Sequence, residues 1–303
     1  MNPKILYVTT FNKVLYDKSG ETLLKSMVDT LSHGDVLVCY EDFNFNNRIA
    51  ELGADESGIT ILTQDLSDNE YLQNWLTKHH DIIPQCYGGG AADDSDIFRP
   101  GSPDFWNKEG QVWAKHRASR YFRKIAALHH AISTYHDEYD IIYLIDSDCI
   151  IKKTIPAELD TTLFLGGKSM VYFWGNFRKH IGRGPETGFT GYCKKHGGFD
   201  FAKIICDQYS SGEFLNYKYW DDGYVVGQII LQYEKLNATR VINRDGTCGD
   251  NCGDGDNSVL EPFPYTFTDL VKGMPQKTTR VMELPSLMLE YVHHFKNKHK
   301  IST

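Results

Sequence analysis

Asp140-Ile141-Ile142-Tyr143-Leu144-Ile145-Asp146-Ser147-Asp148-Cys149-Ile150-Ile151 is the stretch that decides the fold. The unbroken apolar run from Ile141 to Ile145 predicts a strand buried on both faces, the kind found at the centre of a parallel sheet in α/β proteins. The run ends directly in Asp146-Ser147-Asp148, which places two carboxylates, one residue apart, at the carboxyl end of a central strand. Open α/β sheets bind ligands at that end. An apolar strand gains nothing structurally from running into two unpaired carboxylates. Two hard oxygen donors at this spacing suit Mg2+ or Mn2+ and leave coordination positions open for a diphosphate. Asp146 and Asp148 are therefore the predicted metal ligands, with Ser147 between them facing the donor.

Working outward, Trp113 to Thr134 carries the longest helical pattern, with Phe122, Ile125, Ala126 and Ile132 on one side and Arg117, Arg120 and Lys124 at i, i+3 and i+7 on another. Because this helix leads into the Asp-x-Asp strand, its three cations are candidate clamps for a diphosphate or sugar, against the plainer reading of a solvated face. Arg123 is the weaker candidate. At the other end of the chain's first half, Lys4 to Thr10 reads as a strand, Glu21 to Leu31 as an amphipathic helix and Asp35 to Tyr40 as a second strand. This βαβ opening predicts a parallel sheet. Lys168 to Trp174 reads as a further strand, Gly182 to Gly198 as loop-rich, and Phe199 to Tyr209 and Asp222 to Tyr233 as helices. Gln64 to Gly110, polar and glycine-rich, is expected to be an insertion or lid on a single domain covering residues 1–303, and 245–265 a flexible loop.

Composition bounds the function. A chain of 303 residues that is 41% apolar can bury a large core. Its 32 Lys and Arg against 40 Asp and Glu give a net charge of -8, which repels nucleic-acid backbones and anionic membranes unless a local basic patch intervenes. No apolar run approaches bilayer length, and seven scattered cysteines suit a reducing compartment, so the expected location is cytoplasmic, or the host cytoplasm for a viral chain.

With those residues in view, Tyr143-Leu144-Ile145-Asp146-Ser147-Asp148-Cys149-Ile150-Ile151, followed by Pro156 and Leu159, resembles the Asp-x-Asp segment of GT-A glycosyltransferases, most closely the glycogenin-type family. The resemblance implies a GT-A fold, a mixed and mainly parallel α/β sheet flanked by helices, a nucleotide-sugar donor such as a UDP-sugar, and Mn2+ bound through the donor diphosphate. It also implies a histidine ligand near the C-terminal end. Val292-His293-His294-Phe295-Lys296-Asn297-Lys298 is similar to that family's histidine segment but lacks its glycine and proline; His294 is the candidate, His293 its rival, and a solvated basic tail the plain alternative. Tyr7-Val8-Thr9-Thr10-Phe11 resembles the family's first strand and loop, which implies nucleoside contact at Thr9, Thr10 and Phe11. Tyr40 and Glu41, at the second strand's end, are candidates to stack on or bind the base.

Two later segments, Pro185-Glu186-Thr187-Gly188-Phe189 and Tyr219-Trp220-Asp221-Asp222-Gly223-Tyr224, set carboxylates among aromatic residues and glycine, a mixture that grips sugars. An inverting transferase needs a general base, for which Asp222 comes first, then Asp221 and Glu186. The plain alternative is that Asp221 and Asp222 cap the following helix. Cys248 to Asp256 makes a poor zinc or calcium site and reads as a loop. A nucleotidyltransferase is the nearest rival activity, and a non-catalytic nucleotide- or carbohydrate-binding module the other. The acceptor is open between a glycan, served by aromatic surfaces around Trp106, Trp174 and Trp220, and a 5-hydroxymethylpyrimidine in DNA. Trp113 to Ala131 and Glu186 to Asp222 resemble phage-type enzymes that modify DNA bases, and Lys194, Lys195, His196 and the Lys296 to Lys300 tail are the basic clusters such an acceptor would need.

Overall fold

A computed structural model describes residues 2–53, 58–80, 118–164, 169–173, 186–217, 220–236, 282–283 and 292–294. The first strand, β1, is Ile5–Asn12; β2 is Asp35–Glu41, β3 Ile61–Asp65, β4 Ile141–Asp146, β5 Cys149–Ile151, β6 Met170–Phe173, β7 Glu186–Cys193, β8 Met282–Glu283 and β9 Val292–His294. Seven of these form one sheet in the order β3-β2-β1-β4-β7-β6-β8, and β5 pairs with β9 in a separate ribbon. β1, β2, β3 and β4 are mutually parallel where they pair, whereas β7 runs antiparallel to both β4 and β6. The mixed, mainly parallel sheet expected from the sequence is present.

Strand order fixes where the connections of the sheet diverge. From β1 the chain adds β2 and β3 on one side, then crosses back to lay β4 on the other side of β1. The connections diverge at the carboxyl ends of β1 and β4, the switch point at which such sheets open a cleft. Thr10 and Asp146 are register partners there.

Alternation along each strand divides the interior in two. Leu6, Val8, Leu37, Cys39, Ile142 and Leu144 face the helix Ala118–Thr134 and, behind it, the helix Gly198–Ser211, in a core with Phe122, Ile125, Leu128, Ile205 and Tyr209. Ile5, Tyr7, Val36, Val38, Tyr143 and Ile145 face the opposite way, onto Leu23, Leu24 and Met27 of the helix Glu21–Thr30. Period-two side-chain placement therefore commits Asp146 and Glu41, in step with Leu144 and Cys39, to the side of the Ala118–Thr134 helix.

Two expectations are corrected here. Gly182–Gly198 was expected as loop, yet it contains β7, an interior strand between β4 and β6. Gly191, which weakens the strand signal, is required by close approach: a Cβ there would stand 2.6 Å from Tyr143 Cε1. The expected insertion from Gln64 begins instead inside the fold. Gln64 and Asp65 belong to β3, and the helix Glu70–Lys78 buries Leu72, Trp75 and Leu76, with Trp75 Nε1 donating to Tyr209 O at 2.9 Å. Residues 81–110 and the 245–265 loop lie outside the described residues. Among the described residues no helix is long and apolar enough to cross a membrane.

His79, which caps the Glu70–Lys78 helix, is 3% exposed, packs against Trp75 and Phe214, and among the described residues has no hydrogen-bond partner on either ring nitrogen. Burial first, and then the neighbouring Lys78 ammonium, hold its pKa below the usual 6.5. Below that pH the unfolded chain binds a proton that the folded chain refuses, so stability is fully present above 6.5 and is lost as pH falls through the folded value. The urea midpoint is expected to drop between about pH 7 and about pH 5, and His79→Phe to flatten part of that slope. His129, His130 and His196 are shifted in the same direction and account for a remainder. An unchanged slope in the variant would contradict this reading.

Candidate active site

The site is assembled where β1, β2 and β4 end. Asn12 closes β1, and its side chain accepts the Leu15 amide at 2.9 Å, capping the short helix that follows. Its register partner, Glu41, closes β2 and is buried against Arg123, whose Nε donates to Glu41 Oε2 and whose guanidinium also donates to Ser119 O at 3.0 Å. Arg123, the weaker candidate from sequence, is thus the fixed partner of a strand-end carboxylate, while Glu41 is held by an ion pair.

One residue further along the same helix, Lys124 is 7% exposed and does not belong to a solvated face. Its ammonium contacts Asp146 Oδ1 at 2.6 Å and Asp222 Oδ2 at 2.7 Å, and donates to Thr187 O. Thr187 Oγ1 in turn donates to Asp222 Oδ2 at 2.7 Å. A single buried cation thereby links the first carboxylate of the Asp-x-Asp turn to a carboxylate 76 positions later in the chain, at the start of the helix Asp222–Leu236. Burial by itself lowers a lysine pKa; here the carboxylates of Asp146 and Asp222 more than offset that and hold the ammonium above its usual range.

Asp221 and Asp222 divide the two roles foreseen for them. Asp221 caps the helix, its Oδ1 accepting the Tyr224 amide at 3.1 Å and its carbonyl accepting the Val225 amide at 3.0 Å. Asp222 turns inward to Lys124. Its Oδ2 meets the Lys124 ammonium and the Thr187 hydroxyl at once, each at 2.7 Å.

The turn itself is Ser147-Asp148, with Ser147 buried and Asp146 and Asp148 half-buried. β5 starts at Cys149, directly after Asp148, and pairs antiparallel with β9 so that Cys149 stands opposite His294, Ile150 opposite His293 and Ile151 opposite Val292. Backbone register thus brings the distant C-terminal histidine pair alongside the acidic turn, and His294 comes nearer to Asp148 than His293 does. Among the described residues no three His, Cys, Asp or Glu side chains form a ready-made metal cage. The donor set fits an oxygen-loving ion that takes its remaining ligands from a diphosphate and water, as Mg2+ and Mn2+ do.

The first strand departs from expectation. Phe11 and Tyr40 are buried in an aromatic cluster with Tyr16, Phe43 and Phe45, so neither ring is available to stack on a base. Thr9 is 0% exposed and lies on the Tyr7 side of the sheet, with a buried hydroxyl that has no partner among the described residues. Thr10 alternates to the other face, beside Asp146, and is half-buried. Of the three residues implied for nucleoside contact, only Thr10 is placed at the cleft. Arg120 is half-buried on the helix one turn before Lys124, and Arg117 lies outside the described residues. Glu186 opens β7, opposite Phe173. Trp220 is buried, its Nε1 donating to Tyr217 O at 3.2 Å, and offers no stacking surface; Trp106, Trp174, the Cys248 to Asp256 segment and Lys296 to Lys300 lie outside the described residues.

No family model matches the chain, and no curated protein matches it. Among solved structures it is similar to mouse xyloside xylosyltransferase 1 in its apo form, at 12% identity and a TM-score of 0.43, over 76% of this chain and 82% of that one. It is also similar to the glycosyltransferase GlyE of Streptococcus pneumoniae TIGR4, at 16% identity and a TM-score of 0.43, over 75% of this chain and 43% of that one. A third likeness is to the bifunctional enzyme WbbM, at 12% identity and a TM-score of 0.40, over 69% of this chain and 38% of that one. At these values the likenesses assign no activity, and the chemistry rests on the site.

Sequence reasoning missed Thr187 as a participant and undervalued Arg123. Thr187 had no signal of its own, since its role follows from β7 lying next to β4. For Arg123 the signal was present: with Lys124 it forms an adjacent basic pair on the helix that faces two strand-end carboxylates. Replacing Lys124 with Met leaves Asp146 and Asp222 without their shared cation. The expected cost is about 3–5 kcal/mol, as for breaking other buried ion pairs from one side, read as a lower urea midpoint at unchanged m-value. Adding Asp222→Asn to Lys124→Met is expected to restore part of the loss. Equal stability of wild type and Lys124→Met would show that the triad is not closed in solution.

Proposed function

We propose that the chain is a metal-dependent glycosyltransferase of the GT-A type, moving a sugar from a nucleotide-sugar donor, taken here to be a UDP-sugar, onto a hydroxyl acceptor. The observation that carries this reading is the convergence at one switch-point cleft of the Asp146-Ser147-Asp148 turn, the Lys124 to Asp222 ion pair and the β9 register that brings His294 alongside. Asp146, Asp148 and His294 are the residues that would hold Mn2+ or Mg2+. Bound there, the ion supplies neutralising charge to the diphosphate as the glycosidic bond breaks.

The rest of the work falls to the chain's own residues. Lys124 keeps Asp146 and Asp222 at fixed separation, so the two carboxylates need no rearrangement when donor arrives. Asp222, oriented by Lys124 and Thr187, accepts a hydrogen bond from a sugar hydroxyl and orients the anomeric carbon. Thr10, at the end of β1, and Glu41, held by Arg123, line the nucleoside side of the same cleft. Arg120, one turn before Lys124, adds positive potential on the diphosphate side.

A glycan or other small hydroxyl acceptor is favoured over DNA. Lys194, Lys195 and His196 follow β7 at the end where Cys193 pairs with Ile141, the start of β4. That end lies a full strand length, about 16 Å, from Asp146, and Lys194 is engaged there with His136 O at 2.6 Å. This basic cluster is therefore set away from the reaction edge.

Donor turnover separates the reading from its rivals. Slow, Mn2+-dependent hydrolysis of one UDP-sugar from a panel is expected for the native chain and at least a hundredfold less for Asp148→Ala, the scale of losing a transition-state electrostatic contact. Pyrophosphate release from a nucleoside triphosphate and sugar phosphate would support a nucleotidyltransferase instead. Binding without turnover in both chains would support a non-catalytic module.

A further inference from the structure

The strand that follows the acidic turn, β5, is tied to the helix Glu21–Thr30 through a buried hydroxyl. Ser26, on the Glu21–Thr30 helix, donates from Oγ to Leu23 O at 2.7 Å and accepts on the same oxygen the backbone N–H of Ile151 at 3.0 Å. Ile151 is the last residue of β5, three positions after Asp148, and stands opposite Val292 of β9. Ser26 is buried, and a backbone N–H buried without a partner is costly, so this bond is part of the strand's own hydrogen-bond satisfaction.

The bond has a geometric consequence. β5 is a strand of three residues paired to another strand of three, too short a ribbon to hold its own orientation. One side of β5 carries β9; Ser26 grips the Ile151 N–H. Downstream, the same segment is held again by Ser32 Oγ to Ile155 O at 3.4 Å and by Asp160, which joins His33 at 2.7 Å and Tyr143 Oη at 2.6 Å. Those later anchors fix the segment after β5. At the start of β5 the Cys149 thiol donates to Gly188 O at 3.2 Å, and Ser26 holds the strand's other end, closer to the Asp-x-Asp turn than the Ser32 and Asp160 anchors.

From this we infer that Ser26 is a positioning residue for the metal centre: its hydroxyl sets the β5–β9 ribbon, and through it the placement of Asp148 and His294 relative to each other. The inference rests on the proposed metal-dependent transferase reading. Partners that orient ligands from outside the coordination sphere are worth tenfold or more in metal affinity. Ser26→Ala is therefore expected to weaken Mn2+ binding by about tenfold.

The test counts free Mn2+ by electron paramagnetic resonance while it is titrated into the full chain at saturating UDP. Ser26→Thr is expected to restore native affinity, since a helical threonine hydroxyl reaches the same i−3 carbonyl that Ser26 uses. Ser32→Ala, which removes a bond from the same segment farther from Asp148, is expected to lower the melting temperature without moving the Mn2+ affinity. If Ser26→Ala does not fold, Ser26→Cys, whose sulfur is a weaker acceptor, takes its place and is expected to show a smaller loss in the same direction. Native Mn2+ affinity in the folded Ser26 variants, or an equal loss in Ser32→Ala, would overturn the inference while leaving the transferase reading intact. Absence of Mn2+ binding by the native chain would overturn both.

Discussion

The arrangement of the cleft depends on one buried ammonium. Lys124 carries a full charge out of water, which no apolar core tolerates alone, and the two carboxylates that compensate it come from the end of β4 and the start of the Asp222–Leu236 helix. Each member satisfies a need of the others. Asp146, in step with Leu144 and Ile142, would otherwise push a carboxylate toward the apolar helix side; Asp222 would otherwise stand buried at a helix start beside Asp221. The cation makes both placements tolerable and joins elements far apart in sequence into one rigid floor. Arg123 and Glu41 repeat the device one strand over, so two consecutive basic residues on one helix hold the acidic ends of β2 and β4. A chain of net charge -8 can in this way concentrate acid at a sheet edge without the edge repelling itself apart.

Much of this was legible in the sequence, for identifiable reasons. The apolar run from Ile141 announced β4 and its end at Asp146, because hydrophobic burial stops where the carboxylates begin. The βαβ opening was equally plain from periodicity. β7 escaped because Gly188 and Gly191 read as loop when seen alone, although Gly191 suits close contact with Tyr143. The true extent of the fold beyond Gln64 escaped because the polar ends of β3 and the Glu70–Lys78 helix resemble the segment that follows them. Phe11 and Tyr40 misled in the other direction. An aromatic residue at a strand's end is the same letter whether it faces a ligand or a cluster, and only the neighbours Tyr16, Phe43 and Phe45 decide.

The pairing of Cys149 with His294 could not be read from pattern at all, since strands of three residues leave no periodic trace. The family resemblance named the histidine, and the register supplies a physical route by which a residue so distant in sequence reaches the acidic turn. Among the described residues the carboxylates of this sheet end form no three-ligand cage of their own.

The central claim is that the carboxyl ends of β1 and β4 form a metal-assisted diphosphate site. A crystal of the chain grown with UDP and Mn2+, measured at the manganese absorption edge, addresses it directly. The account requires anomalous density within coordination distance of Asp148, bridged to the UDP phosphates and adjacent to the Lys124 to Asp146 pair. Manganese or UDP bound elsewhere on the sheet, with the switch-point cleft left to water, would contradict it.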